Sequence, residues 1–483
     1  MLPTKIFPVE PRSVTNARFR LAMSIILGAL VMIESLGARG QNSNLYQEPR
    51  FPQKAGFEFP TPESKLVEMR NHQDLVLMRN HAWGLFAGLV QPSEAHHPES
   101  AAIWETWYSR SETMAANGCE QLQQHHRKQR ELELPLEIIS GFDIDKEGPE
   151  HTTALNKAQQ FFSGPGGSLR SNVLFNAAAC HHIQQLALYD PAKLEKQKND
   201  LDLANAPAQE RDITPFPDRS IIVKAFWLRI DQSGKSIPTP KRSFADQQAC
   251  VAANNCPTTS VKPAKANEPC NLPAAPGTPV LTSCFYNVPV TKENRDQITF
   301  SMTADVGDVL VLVGLHVITK EMSDWVWSTF WWSPNPSDPT YGSDRWDEQF
   351  IHGAWRNYLM DTTLSMETPW EKEAEPSSFT GTRSCISSDS PKAKIAFNPY
   401  LEGNLPNFGA LSNCMNCHKQ ATFPRMVPEA AGAPQRGYLG PDAACFGQSL
   451  RVDYVWSLTP PAKDSKLEKF LEGLADMLHI SLR

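Results

Sequence analysis

Residues 414–418 read Cys-Met-Asn-Cys-His. Two thiols three positions apart can add across both vinyl groups of a haem, and the adjacent histidine then falls beneath the iron as proximal ligand. The spacing therefore predicts one covalent haem c on Cys414 and Cys417, with His418 bound to the iron. Two other chemistries use a similar pair. A strained redox disulfide calls for a thioredoxin-like βαβ setting, which the flanking sequence lacks. A zinc site calls for further Cys or His at finger-like spacing, and none follows closely downstream.

The opposite face of such a haem has several candidate ligands. Met426 comes eight residues after His418, which demands a tight loop. Met477 lies at a more ordinary distance, but on the apolar side of a helix expected over residues 465–482, where methionine is ordinarily packing. Met322, Met360, Met366 and His316 belong to a strand-rich region. His316 stands out in the apolar run VLVGLHVI, followed by Lys320 and Glu321. A lone strand histidine is ordinarily a hydrogen-bonded core residue, with an iron-ligand or catalytic role as the alternative. An open sixth position would favour ligand binding or peroxide chemistry over electron transfer. Ala177-Ala178-Ala179-Cys180-His181 outlines a site with one cysteine only, which reads better as a helix carrying a disulfide cysteine.

The rest of the chain must position these groups. The 483 residues carry 41% hydrophobic and 20% charged residues, so a packed core is expected and wholesale disorder is excluded. The net charge of -7, without a Lys/Arg cluster, argues against nucleic acid as a partner. Arg12, Arg18 and Arg20 precede an apolar run over residues 21–33, followed by Gly37, Ala38 and Gly40. This reads as an export signal over residues 1–40, too short to span a bilayer comfortably. A periplasmic or otherwise exported protein with no stable membrane span after cleavage is expected. The eight cysteines outside the motif fit disulfides, with Cys250–Cys256 and Cys270–Cys284 the cheapest pairings by sequence distance.

Helices are expected over residues 67–90, 101–116, 154–162 and 172–189, the last from Val173, Leu174, Ala177, Ala178, Ile183 and Leu186 at helical spacing. Strands are expected over residues 220–230, 297–303, 309–319, 325–332 and 355–360, where β-branched and aromatic residues cluster. WVWSTFWW is apolar on both alternating faces and reads as a central strand. The tryptophans Trp325, Trp327, Trp331 and Trp332 are core candidates or, alternatively, pocket walls. The fold class is α+β: a helical N-terminal region, an antiparallel, sandwich-like β-rich middle, and a small C-terminal helical haem-binding segment. The corresponding units are residues 41–200, 201–395 (with a Pro-rich, cysteine-containing insertion at 236–280) and 396–483.

The motif and the export signal together resemble the c-type cytochromes. The stretches IIVKAFW (221–227), VLVGLHVITKEMSDWVWSTFWW (311–332), FNPYLEG (397–403), SNCMNCHKQA (412–421) and DYVWSL (453–458) resemble a group of large exported bacterial proteins with one C-terminal haem motif. Together these stretches cover about a tenth of the chain. The group implies no settled activity; from the haem motif itself, an exported monohaem cytochrome is expected, transferring electrons through the iron to a redox partner protein or within a redox chain. The alternatives are a haem enzyme, an oxidoreductase or peroxidase-like, acting on a small-molecule substrate, and a haem-based ligand sensor. Small cytochromes place the motif near the start of a helical domain, whereas here it stands near the end of a long chain.

Overall fold

A computed structural model describes residues 46–72, 74–93, 101–122, 130–132, 169–239, 250, 253, 255–295, 298–300, 304–364, 386–387, 396, 398–400, 414–419, 421–424, 438–439, 446 and 448–459. The expected export segment, the helices at 154–162 and 465–482, and Met366, Met426 and Met477 lie outside the described residues.

The organising element is a seven-stranded antiparallel sheet. Its members are β1 (Tyr108–Ser109), β2 (Arg170–Phe175), β3 (Ile221–Ile230), β7 (Asn287–Pro289), β8 (Val309–Thr319), β9 (Val326–Trp332) and β10 (Tyr358–Thr363). The order is β1-β2-β3-β8-β9-β10, with β7 beside the start of β8. The long strands form where the sequence is richest in β-branched and aromatic residues. Every residue of β9 is buried, as are all of β8 except His316. A strand covered on both faces has no polar side, so the run is apolar throughout.

The antiparallel, β-rich middle is as expected, but its main body is one sheet rather than a sandwich. Two layers cover that sheet. On one face lies α2 (Leu75–Leu89), started by Asp74, whose carboxylate accepts from Leu77 N. Phe86 stacks on Phe330 at 4.3 Å between ring centroids. Arg79 grips Asp344 through Nε and Nη2 at 2.5 and 2.6 Å and donates to Met360 O, fixing α2 against β10. Before α2 comes α1 (Glu63–Asn71), so the single helix expected over 67–90 is two.

The second face is covered by α3 (Ala177–Gln185), α4 (Pro191–Leu203) and later segments of the chain, around Phe175, Ile222, Ile318, Trp325 and Trp327. The helix expected over 172–189 begins as strand β2. Asn176 makes the switch: its Oδ1 accepts from Ala179 N to cap α3 and from Ile221 N to hold β3. Helical spacing of apolar residues across that junction combined two different elements. Residues 101–116 likewise break into a 3-10 turn, β1 and a five-residue helix capped by Ser109.

The cysteine-containing insertion folds as a small sheet of β4 (Lys235–Pro238), β5 (Thr258–Lys262) and β6 (Val280–Leu281). Disulfides Cys250–Cys256 and Cys270–Cys284 brace it, the two pairings expected from sequence distance. A third, Cys119–Cys180, ties α3 to the segment after β1.

Among the described residues no separate C-terminal helical unit stands apart. The six-residue helix α5 (Cys414–Lys419) and the strands β11 (Thr422–Phe423) and β12 (Leu450–Arg451) lie on the second face. Met415, Phe423, Leu450 and Val452 are buried there. Asn398 shows how closely this part of the chain approaches. Its amide donates to Thr329 Oγ1 and Phe330 O, and a Cβ on Gly314 would come within 2.7 Å of its Nδ2.

Candidate functional site

Strand β8 ends at Thr319, and the turn that follows meets the returning C-terminal segment. Lys320 Nζ lies 2.7 Å from Asp453 Oδ1, with both side chains nearly enclosed. Lys320 also donates to Ser323 O at 2.6 Å. Asp453 Oδ1 takes a second bond from Trp325 Nε1, and its Oδ2 accepts from Phe216 N. This satisfies a buried charge pair on both sides, as such pairs require.

Three non-glycine residues adopt left-handed backbone at this meeting point: Trp325 (φ 64), Asp453 (φ 48) and Tyr454 (φ 67). Each costs on the order of 1 kcal/mol or more. Their side chains make the compensating contacts. Besides the bonds to Asp453, Tyr454 Oη donates to Asp324 Oδ1 at 2.6 Å. Burial, and then the neighbouring Asp324 carboxylate, hold the Tyr454 phenol well above the ordinary tyrosine range.

Lys320, Asp324, Asp453 and Tyr454 line an open cleft of about 910 Å³. One wall is formed by residues 60–63 and 320–324, and the other by residues 212–218 with Arg451, Asp453 and Tyr454. Six carboxylates line it against three cations, Lys320, Lys419 and Arg451. Two of those cations are matched within the cleft, Lys320 by Asp453 and Arg451 by Asp212. Asp212 is half-exposed at the wall. Partial burial raises its carboxyl pKa, against the opposing pull of Arg451 and with a further push from Asp453.

His418 sits behind this cleft. Its Nδ1 is 2.8 Å from Tyr454 O, and since a carbonyl only accepts, Nδ1 carries the proton. The ring packs on Trp327 at 4.7 Å between centroids. Burial, with a smaller push from Lys224, drives its pKa down to about 4 despite the bond to Tyr454, so the imidazole is neutral near pH 7. His316 pairs with Lys224 and Thr329 across β8, and its ring meets Phe226 edge-on at 4.9 Å. Burial drives its pKa well below the ordinary value, helped by the charges of Lys224 and His418. The fold thus brings His316 and His418 to the same region of the second sheet face. Met322 and Met360 are instead buried in separate apolar clusters. The side chains of Cys414 and Cys417 lie outside the described residues.

The haem expectation is corrected here. Among the described residues no group of three or more His, Cys, Asp or Glu is arranged to hold a metal ion. The cysteines whose side chains are described are joined to one another in disulfides. His418 is engaged by Trp327 and Tyr454, and the His316 ring packs edge-on against Phe226. The Cys-x-x-Cys-His spacing is a property of the sequence, but these surroundings do not supply a cofactor site. Covalent haem c, electron transfer, a haem enzyme, a haem-based sensor and kinship with the c-type cytochromes are contradicted by this arrangement, while Met426 lies outside the described residues.

The cleft residues were largely unreadable in advance. Lys320 and Glu321 follow the His316 strand, and Asp453 and Tyr454 open the DYVWSL stretch. Nothing in their spacing shows that they meet. Among the described residues no helix is long and apolar enough to cross a membrane. No family model, curated protein or solved structure matches the chain.

Proposed function

We propose that the cleft between residues 60–63 and 212–218 binds a small, polar, positively charged organic molecule such as an amine. The observation that carries this reading is the charge of an open cavity of ligand size: six carboxylates, of which Glu321 is fully buried, line it with three cations. A cavity of about 300–1,000 Å³ suits a small molecule rather than a polymer. Pro60, Pro62, Pro215, Phe216 and Met322 supply apolar wall for an aliphatic stem. Asp218 and the half-exposed Asp212 meet the ammonium end. Glu63 is partly committed, since its Oε1 accepts from Ser323 N.

The Lys320–Asp453 pair and the Tyr454–Asp324 bond act as the fixed floor. Their groups already satisfy one another, so they shape the cavity without competing for the ligand.

The protein acts outside the cytoplasm on this reading, delivered there by residues 1–40. Three disulfides among the described residues support that placement, because such bonds persist in oxidising compartments. Thermal unfolding in a panel of cadaverine, agmatine, choline, glutarate and glucose tests the ligand class. Amines should raise Tm in a concentration-dependent manner. A rise with glutarate, and none with any cation, sinks the reading. Fusion of residues 1–40 to a reporter active only after export tests the placement, and an inactive reporter refutes it.

A further inference from the structure

One wall of the cleft is held by a reciprocal clasp that the proposed ligand chemistry does not use. Glu321 is fully buried, and its Oε1 accepts the backbone N–H of Thr61 at 2.6 Å. Its Oε2 accepts from Thr319 Oγ1 at 2.5 Å and lies 3.0 Å from His81 Nε2. In return, Glu63 Oε1 accepts from Ser323 N at 3.0 Å. Residues 61–63 and 321–323 are thus stitched together at both ends, and all six line the cleft.

The surroundings set how much of this wall can move. Upstream, Phe57 is anchored: its ring packs edge-on against Trp346, and a Cβ on Gly84 of α2 would come within 2.1 Å of it. Downstream, Leu66 and Met69 of α1 are buried with Met322. Between these anchors runs a short extended segment. Pro60 and Pro62 donate no backbone hydrogen bond, so Thr61 supplies the one amide of residues 60–62 that can hold it. The bond from Glu321 to that amide is therefore its main backbone tie to the sheet, and Thr61 Oγ1 adds a 3.3 Å contact with His81 Nδ1 of α2. The neighbouring residue, Lys320, reaches the opposite wall through Asp453. Consecutive residues at the end of β8 pin the two walls separately.

We propose that residues 60–63 form a strap latched by Glu321, and that release of this latch opens the cleft on one side and uncovers Met322 while the Lys320–Asp453 wall stays in place. A buried carboxylate holding a loop amide is a strong, charge-assisted bond, so the latch keeps the strap closed at rest. Local opening of a short segment between anchors needs far less free energy than global unfolding. This inference rests on the wall geometry and stands whether or not the ligand is an amine.

Hydrogen exchange of the Thr61 amide and hydroxyl-radical oxidation of Met322, measured on the full chain, test it. Glu321→Leu, which has no acceptor for the Thr61 amide, should speed Thr61 exchange at least tenfold and increase Met322 oxidation several-fold, with the amides of β9 unchanged. Glu63→Ala, at an exposed position, should increase Met322 oxidation to a smaller extent at unchanged Tm. It keeps the test open if Glu321→Leu does not fold. Wild-type protection of both Thr61 and Met322 in the folded variants overturns the latch. So does acceleration that includes β9, which would mean global loosening.

Discussion

Lys320 and Asp453 stand 133 residues apart in sequence and meet at 2.7 Å, with side chains 7% and 10% exposed. The contact joins the end of the longest strand to a left-handed turn in the C-terminal segment, and one wall of the cleft is built on it. A charge pair this enclosed is justified less by its net stability than by the geometry it enforces.

Removing one partner should be far worse than removing both. Lys320→Met leaves Asp453 buried without its cation, and the expected cost is about 3–5 kcal/mol in denaturant unfolding. Adding Asp453→Asn should recover a large part of that loss. Equal destabilisation by the single and double variants would show that the pair is not coupled as described.

The Cys119–Cys180 disulfide closes a separation of 61 residues, while Cys250–Cys256 closes one of 6. Constraint of the unfolded chain grows with loop length, giving about 4 kcal/mol for the first and about 2 kcal/mol for the second. Paired Cys→Ala variants compared by chemical denaturation should keep that order. The longer bridge should matter more because it ties α3 to the segment that follows β1.

Acid should weaken the fold through the buried histidines. The pKa of His418 is about 4 in the folded state against 6.5 as the ordinary value. On acidification the unfolded chain therefore takes up the proton first. Stability is complete above about pH 6.5 and declines as pH falls towards 4, by up to about 3 kcal/mol from this residue. His316 shifts in the same direction. Stability measured from pH 7 to 4.5 should fall, and less steeply in His418→Asn. A slope unchanged by that substitution would place the acid sensitivity elsewhere.

Gly314→Ala tests the close approach of the segment at Asn398. The new methyl would meet Asn398 Nδ2 at 2.7 Å, and that amide is held by Thr329 and Phe330. The expected loss is about 1–3 kcal/mol, typical of overpacking. Gly314→Ala/Asn398→Gly should recover part of it by making room.

The elements that were legible in the sequence are those whose residues report their own burial. The strands at 309–319 and 326–332 are rich in β-branched, aromatic and other apolar residues, and neighbouring cysteines identified two of the three disulfides among the described residues. Helical periodicity misled at residues 172–176, because Val173 and Leu174 on the strand and Ala177, Ala178 and Ile183 on the following helix mimic one helical face. Asn176, which ends one element and starts the other, was the overlooked signal. The cleft was illegible for a different reason. Its ion pairs join residues more than 100 positions apart, and the left-handed backbone at Trp325, Asp453 and Tyr454 is imposed by tertiary contacts. Cys-x-x-Cys-His was conspicuous because its spacing is local. Local spacing does not determine what surrounds His418.

The cleft's ligand class is tested most directly by calorimetric titration of cadaverine into the wild-type protein and into Asp212→Asn/Asp218→Asn, at low and high salt. Binding at one site is expected, weakened at least tenfold by the double substitution and reduced by added salt, as for a charge-driven contact partly open to solvent. Binding should also weaken as pH falls, beginning above the ordinary carboxylate range because Asp212 protonates early. No heat of binding for cadaverine, or equal affinity in the double variant, would contradict the account.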